Sequence, residues 1–302
     1  MYNDNEMNPY WPVFKNIESE FSKLMFYIHI NDKQLSVYST KIAELILRSA
    51  IEIESIVKEL YVKNAEGEIK STDKLKFDYD ILDGLLIPKW VLDKKVVVVS
   101  SPNCFLEQRE LFPFIKENEA KTFSWNKAYQ GLKHDRAKSI KSGNIKTLFN
   151  ILAALYVLNL YYKDEKPIRL NEDSNGHNLS PNIGSEVFSI NIARWGGMDG
   201  NGEIHKAHDY DKSVYYVRMT KETEKIVSES FAAWNRKINE LGFQNPKVLE
   251  YLQKTPETER PRLWLMDALG TDFTKITQEA GRQCPPMLDK ARYEAVLNRN
   301  QA

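Results

Sequence analysis

The sequence has little cysteine, no excess of charge of either sign and no long apolar run, and each shortage excludes a class of protein. Cys104 and Cys284 are its only cysteines and lie far apart, which excludes a disulfide scaffold and favours a reducing, cytoplasmic setting. The 42 basic and 42 acidic residues balance, so no overall charge attracts the 302-residue chain to nucleic acid or to an anionic membrane. The most apolar run, residues 148–162, is interrupted by Asn150 and Asn159 and falls short of the ~20 apolar residues that cross a bilayer, so we expect no membrane-spanning segment.

Complete catalytic and metal-binding signatures are also missing. The chain contains no GxSxG, P-loop, GxGxxG or HExxH motif. The string DGNGEI at residues 199–204 is similar to the centre of a calcium loop, but Gly197 and His208 stand where the first and last acidic ligands belong. We therefore expect a glycine-rich hairpin turn there, and we expect neither a metal ion nor a cofactor.

The first half of the chain has the periodicity of a helical bundle. Apolar residues recur at intervals of three and four in four segments, which predict helices over residues 12–30, 40–64, 124–142 and 145–162. Ser39 or Thr40 can cap the second helix and Ser124 the third. The fourth is apolar nearly all round, which is typical of the most buried helix of a bundle. Residues 72–120 form an irregular insertion, with a strand expected near 95–100.

The composition changes at residue 164, and we place a domain boundary there, between residues 1–163 and 164–302. Beyond it, residues 185–193 alternate as a strand does, and residues 214–219 are expected to be its partner across a turn at 195–202. Helices are predicted near 221–241, 246–253 and 286–299. The predicted fold class is mainly α: an up-and-down helical bundle with an irregular insertion, followed by a smaller α+β part with one β-hairpin.

Residues 121–150 carry the most informative charge pattern. They contain seven basic residues and one acidic residue, Asp135, in a chain whose net charge is zero. On a continuous helix, Lys127, Gln130, His134, Lys138 and Lys141 fall within roughly 80° of one another, away from the apolar stripe. A phosphate-binding surface with a titratable imidazole at its centre would have this pattern. A solvated helix face whose lysines only aid solubility would have it too.

The string WNKAYQGLKHDR at residues 125–136, followed by the apolar helix and preceded by LRSAIEIESIVKELY at residues 47–61, resembles the HEPN superfamily. The resemblance implies a bundle of four or five helices, a homodimer with the site between the subunits, and metal-independent ribonuclease activity in a defence or toxin–antitoxin setting. The family motif is an arginine followed, after four to six residues, by a histidine. The arginine stabilises phosphate charge, and the histidine assists attack by the ribose 2′-OH or protonates the leaving group.

His134 matches the family histidine, which makes it the general acid or base, but the motif arginine is absent. Lys127 stands at the longest permitted spacing, without the planar fork of a guanidinium. Arg136 follows His134 by two residues, about 200° around a helix. The hypothesis therefore assigns His134, Arg136 and Lys127 to catalysis, and Lys133, Lys138 and Lys141 to nucleic-acid binding. Arg48 could supply the guanidinium from the second helix, or it could simply pair with Glu52.

The sequence favours an RNA-directed protein, with metal-independent endoribonuclease activity as its enzymatic form. The alternative is a non-catalytic dimeric interaction or regulatory protein, in which the basic helix face binds an acidic protein partner. A third possibility is that the protein handles nucleotides, which would require a separate enzyme for the catalysis. Six aromatic residues could stack on bases or belong to the core: Trp195, Tyr210, Tyr215, Tyr216, Trp234 and Trp264.

Overall fold

The computed structural model describes residues 8–66, 70–116, 121–163, 167–170, 179–194, 197–198, 204–261 and 263–300. Helices are α1 (Tyr10–Tyr27), α2 (Thr40–Asn64), α3 (Ile87–Trp90), α4 (Ser124–His134), α5 (Arg136–Ser139), α6 (Ile145–Lys163), α7 (Lys221–Phe243), α8 (Pro246–Lys254), α9 (Trp264–Leu269) and α10 (Asp272–Gln283). Strands are β1 (Ile30–Asn31), β2 (Val97–Val99), β3 (Cys104–Phe105), β4 (Glu110–Leu111), β5 (Ile168–Arg169), β6 (Phe188–Ile190), β7 (Ile192–Arg194), β8 (Gly197–Met198), β9 (Ile204–His205), β10 (Tyr215–Met219) and β11 (Tyr293–Leu297). The mainly α fold with a small α+β part and a hairpin is confirmed.

Contacts along the chain divide it into two compact units. The first contains residues 1–169, 178–218 and 295–302, and the second contains residues 170–177 and 219–294. The domain boundary predicted at residue 164 divides the chain into two consecutive pieces. The two units are not consecutive pieces, because the segment that carries β6, β7 and most of β10 belongs with the N-terminal helices.

Side-chain contacts show the relative directions of three long helices of the first unit, α1, α2 and α6. Tyr10 on α1 hydrogen-bonds Glu59 near the end of α2, whereas Glu20 on α1 pairs with Arg48 nearer the start of α2, so these helices are antiparallel. Ring contacts of Phe14 with Tyr156, and of Phe21 with Phe149, show that α1 is also antiparallel to α6. Helix α1 therefore runs opposite to both α2 and α6.

Helix α6 is the most buried element, as its composition predicts. Ile145–Tyr162 is long and apolar enough to cross a membrane, and no other helix in the described ranges passes that test. Because 78% of this segment is buried inside the protein, it has the character of a core helix. Helix α2 packs beside it and begins at Ser39, whose hydroxyl accepts a hydrogen bond from the Ile42 N–H at 3.1 Å.

Short strands attach the insertion and the later segments to the bundle. The insertion contains π-helical turns at Phe77–Leu86 and the strand β2, which lies between β4 and β6 in an antiparallel sheet. Glu18 on α1 is fully buried, and its Oε1 accepts hydrogen bonds from the Ser185 hydroxyl and from the N–H groups of Glu186 and Val187. This carboxylate fixes the segment that leads into β6 against α1.

Two expectations about the strands need correction. The strand predicted over residues 185–193 is interrupted at Asn191, which separates β6 from β7. Residues 215–217 of β10 pair with β7, but in parallel and not across a hairpin. The hairpin is instead formed by β8 and β9, which pair antiparallel around residues 199–203, themselves outside the described ranges. The glycine-rich turn predicted at residues 195–202 falls largely outside the described residues, and its described part, Gly197–Met198, is the strand β8.

The second unit is mostly helical. Thr220 caps α7, and Asn245 caps α8 with Pro246 as its first residue. The helix predicted near 286–299 is wrong, because residues 293–297 form β11, between β5 and β10 in their sheet. Helices α9 and α10 were not predicted.

Candidate nucleic-acid interface

Helix α4 positions the first part of the basic segment. Its inner side is fixed by Trp125, which is buried and whose Nε1 donates a hydrogen bond to the Pro113 carbonyl at 2.8 Å. Ala128, Tyr129 and Leu132 are buried on the same side. Because this stripe faces the core, Lys127 and His134 are exposed, as the sequence pattern predicts.

Asp135 ends α4, and this corrects the single helix expected over residues 124–142. Its backbone leaves the helical region, at φ −146° and ψ 67°, and α5 begins at the next residue. The Asp135 carboxylate then accepts a hydrogen bond from the Lys138 N–H at 3.4 Å, as an N-cap does. Ser124, expected to cap α4, is its first residue and makes no capping hydrogen bond.

The break redistributes the predicted basic strip over three elements. Lys127, Gln130 and His134 remain on one face of α4, Lys138 lies on α5, and Lys141 lies on the 3₁₀ turn Ile140–Ser142. The strip is therefore not one face of one helix, because the dihedral angles of Asp135 change the direction of the chain.

All six predicted site residues are exposed: Lys127, Lys133, His134, Arg136, Lys138 and Lys141. The one acidic residue of the segment, Asp135, pairs with Lys138 at 3.0 Å. Among the described residues, no carboxylate lies within salt-bridge distance of the other six cations of the segment, Lys121, Lys127, Lys133, Arg136, Lys141 and Lys146. The segment thus presents a concentrated positive charge that the described carboxylates do not neutralise, apart from Asp135.

Two of these residues also line a groove between α2 and α4. The groove has a volume of about 580 Å³, and its described lining is formed by Leu47, Ile51, Glu54, Tyr129, Leu132, Lys133 and Arg136. The Lys133 ammonium lies 5.4 Å from the centre of the Tyr129 ring. Neither His134 nor Lys127 is among these lining residues. The structure therefore brings Lys133 and Arg136 to the groove and leaves His134 with Lys127 on the outer face of α4.

Arg48 does not face the basic segment. Its guanidinium donates to Glu20 and to Asn16 on α1, both at 2.7 Å, so the hypothesis that it completes the His134 site within one chain is not supported by its contacts. The expected Arg48–Glu52 pair is not formed either. Burial raises the pKa of Glu52, while the charge of Arg48 opposes this effect. On the same helix, Glu54 and Lys58 do form an ion pair, at 2.8 Å.

The aromatic residues that could have stacked on bases are mainly core residues. Tyr210, Tyr215 and Tyr216 are buried, while Trp234 and Trp264 are half-buried in the second unit. Trp195 lies outside the described residues.

Sequence reasoning missed the aromatic residues that are exposed. Phe26 and Tyr27, at the end of α1, are 87% and 79% exposed. They fall off the buried stripe of Phe14, Ile17, Phe21 and Met25, and this displacement is the signal that could have found them.

Within the described ranges, no three His, Cys, Asp or Glu residues lie close enough together to hold a metal ion. Cys104 is buried, and burial raises the pKa of its thiol to about 11, which keeps it protonated and unreactive. The residues brought together are thus cations, an imidazole and apolar groove residues, a set suited to binding an anion and to moving a proton. Neither a family model, nor a curated protein, nor a solved structure matches the chain.

Proposed function

We propose that the protein binds RNA through the basic segment 121–150 and cleaves it without a metal ion. One observation carries the proposal: six exposed cations, none within salt-bridge distance of a described carboxylate, lie in the segment around an exposed imidazole, in a chain that is neutral overall. Each RNA phosphate carries a negative charge, so binding would release counterions from RNA and neutralise this surface. The HEPN resemblance agrees with this role and supports a homodimer as the working form, and the two separate cysteines favour the cytoplasm.

The chemistry that His134 can perform is proton transfer. In metal-independent cleavage, the ribose 2′-oxygen attacks the adjacent phosphorus while its proton passes to a base, and the P–O5′ bond breaks as an acid protonates O5′. The products are a 2′,3′-cyclic phosphate and a 5′-hydroxyl end. An imidazole can serve as the base or the acid near neutral pH. Lys127, on the same face of α4 as His134, would stabilise the charge on the phosphate oxygens. Arg136 would join it from the other subunit of the homodimer, and Lys133, Lys138 and Lys141 would hold flanking phosphates.

The test is cleavage of a labelled RNA by the purified full-length chain in the presence of EDTA. His134→Ala should reduce the rate by about 10²–10⁴-fold, which is the usual contribution of a general acid or base. His208→Ala is the matched control, because His208 is also exposed in the first unit but lies outside the basic segment. Cleavage by His134→Ala at the parent rate would show that His134 is not catalytic.

The groove between α2 and α4 favours a second candidate function. Ile51 is 57% exposed in its lining, beside Leu47, Tyr129 and Leu132, and apolar side chains exposed in a groove are typical of protein interfaces. The protein would then be a non-catalytic dimeric interaction protein, with Lys133 and Arg136 at the groove contacting an acidic partner. A parent protein that binds no RNA even at low salt would favour this second function.

A further inference from the structure

Four exposed aromatic side chains lie at one end of the helical bundle. Phe26 and Tyr27 are the most exposed, and Tyr38 and Phe105 are about half exposed. The rings of Phe26 and Tyr27 are in edge contact at 5.5 Å, and the His29 imidazole stacks on Phe105 at 4.7 Å. Single exposed aromatic residues are common, but several at one end of a small bundle indicate an interaction surface.

The directions of the helices place this aromatic end beside the basic segment. Because α1 runs antiparallel to α2 and α6, the end of α1 lies with the starts of both. The connecting chain confirms this, since Leu35 and Val37 accept hydrogen bonds from the N–H groups of Lys146 and Ile145, and Tyr38 bridges to Asn144. Gly143 packs on Ala43 at the start of α2.

The basic segment runs into the same end. Lys138 and Lys141 lie in the chain between α4 and α6, and Lys146 is on the first turn of α6. All three are exposed. Two carboxylates, Asp32 and Glu107, are exposed near Phe105, where Asp32 accepts a hydrogen bond from the Glu107 N–H. Because these carboxylates lie near Phe105, we place the interaction on Phe26 and Tyr27.

This combination has the chemistry of a surface for unpaired bases. Cations follow the phosphates while aromatic rings stack on the bases, and every base offers a flat face to such a ring. The bases of a duplex are stacked on each other and cannot reach a protein ring in this way. We propose that this end of the bundle binds single-stranded RNA by stacking bases on Phe26 and Tyr27. This inference rests on the proposed function and specifies its substrate as unpaired RNA.

The experiment measures binding of the full-length chain to a labelled single-stranded 12-nucleotide RNA, and to the same RNA annealed to its complement, by fluorescence anisotropy. The double variant Phe26→Ala/Tyr27→Ala should bind the single strand at least about 10-fold more weakly, because stacking on each ring contributes to affinity. Its binding to the duplex should stay within about 2-fold of the parent, since both use the same lysines.

Phe243→Ala is the control, because Phe243 is also an exposed ring but belongs to the second unit, outside the bundle that carries the basic segment. It should bind the single strand as the parent does. Thermal unfolding of all variants checks that they fold, which is expected because both rings are at the surface. If the parent binds RNA and the double variant binds the single strand equally well, stacking is refuted while the proposed function stands. If the parent binds neither RNA, the proposed function fails, and the inference fails with it.

Discussion

Lys95 shows how one buried amine makes the stability of the fold depend on pH. It is completely buried, and its Nζ donates a hydrogen bond to the Asp211 carbonyl at 3.1 Å. Burial lowers the pKa of this ammonium to about 8, although the charges of Asp211 and Asp93 partly oppose the effect. The folded protein therefore loses this proton near pH 8, whereas the unfolded chain keeps it to about pH 10.4.

Lys95 should make the free energy of unfolding rise by an amount on the order of 2 kcal/mol between pH 8 and pH 10, because the unfolded state binds more protons there. Cys104 acts in the opposite direction, since burial raises the pKa of its thiol to about 11 and the unfolded chain loses that proton first, so all variants are compared in a Cys104→Ala background. Above pH 10 the trend should reverse, since burial raises the pKa of Tyr162 and Tyr210 to about 12 and the unfolded chain then loses those protons first. Urea denaturation at several pH values measures both trends. Lys95→Met should remove the rise, and Lys23→Met, at an exposed position, should keep it. A rise that persists in Lys95→Met would contradict this account.

At the same scale, the exposure of His134 and Lys127 follows from the sequence, because the buried stripe of Trp125, Ala128 and Leu132 leaves them on the opposite side. The partner of Arg48 does not follow. Glu52 lies one helical turn away in the sequence, but Glu20 on the antiparallel α1 offers a better-placed carboxylate. The spacing of residues in the sequence cannot show whether Arg48 pairs with a carboxylate on its own helix or with one that tertiary packing places nearby.

Among the elements, long helices with clear periodicity were predicted to within a few residues, and short or ambiguous segments were not. The start of α2 and the span of α6 agree with the pattern. The break at Asp135 was missed because an aspartate tolerates a helix interior but also caps the next helix, and the chain uses the second property. Residues 293–297 were misassigned because Tyr-Glu-Ala-Val-Leu suits either state, and pairing within a sheet decides it.

The turn that leads from α5 into α6 depends on close packing at Gly143. A Cβ added there would lie 2.9 Å from the Ala43 Cβ and 3.1 Å from the Ile140 carbonyl oxygen. We expect Gly143→Ala to destabilise the protein by about 1–3 kcal/mol, as overpacked sites do. In Gly84→Ala, the new methyl group meets its nearest neighbour at an ordinary 3.5 Å, so the same change should cost little. Urea denaturation compares the two, and equal stabilities would refute the packing role of Gly143.

For the whole molecule, the antiparallel run of α1 against α2 and α6 decides which residues share a surface. Phe26 at the end of α1 and Lys146 at the start of α6 are 120 positions apart, yet both lie at the same end of the bundle. The composition shows that residues 121–150 are basic. It could not show that exposed aromatic rings lie at the end of the bundle where this basic segment enters α6. The sequence also could not show that residues 178–218 belong to the first unit, because the stretches that form this unit are not consecutive in the chain.

The central claim is that the basic segment binds the phosphates of RNA, and the salt dependence of RNA affinity tests it most directly. The triple variant Lys127→Gln/Lys133→Gln/Arg136→Gln should bind a single-stranded RNA more weakly than the parent. The slope of log affinity against log salt should fall in magnitude by about 2, at roughly 0.7 per lost phosphate contact. Lys221→Gln/Lys225→Gln/Lys275→Gln removes the same charge from exposed positions of the second unit and should keep the parent slope. Equal slopes for the parent and both variants would contradict the claim.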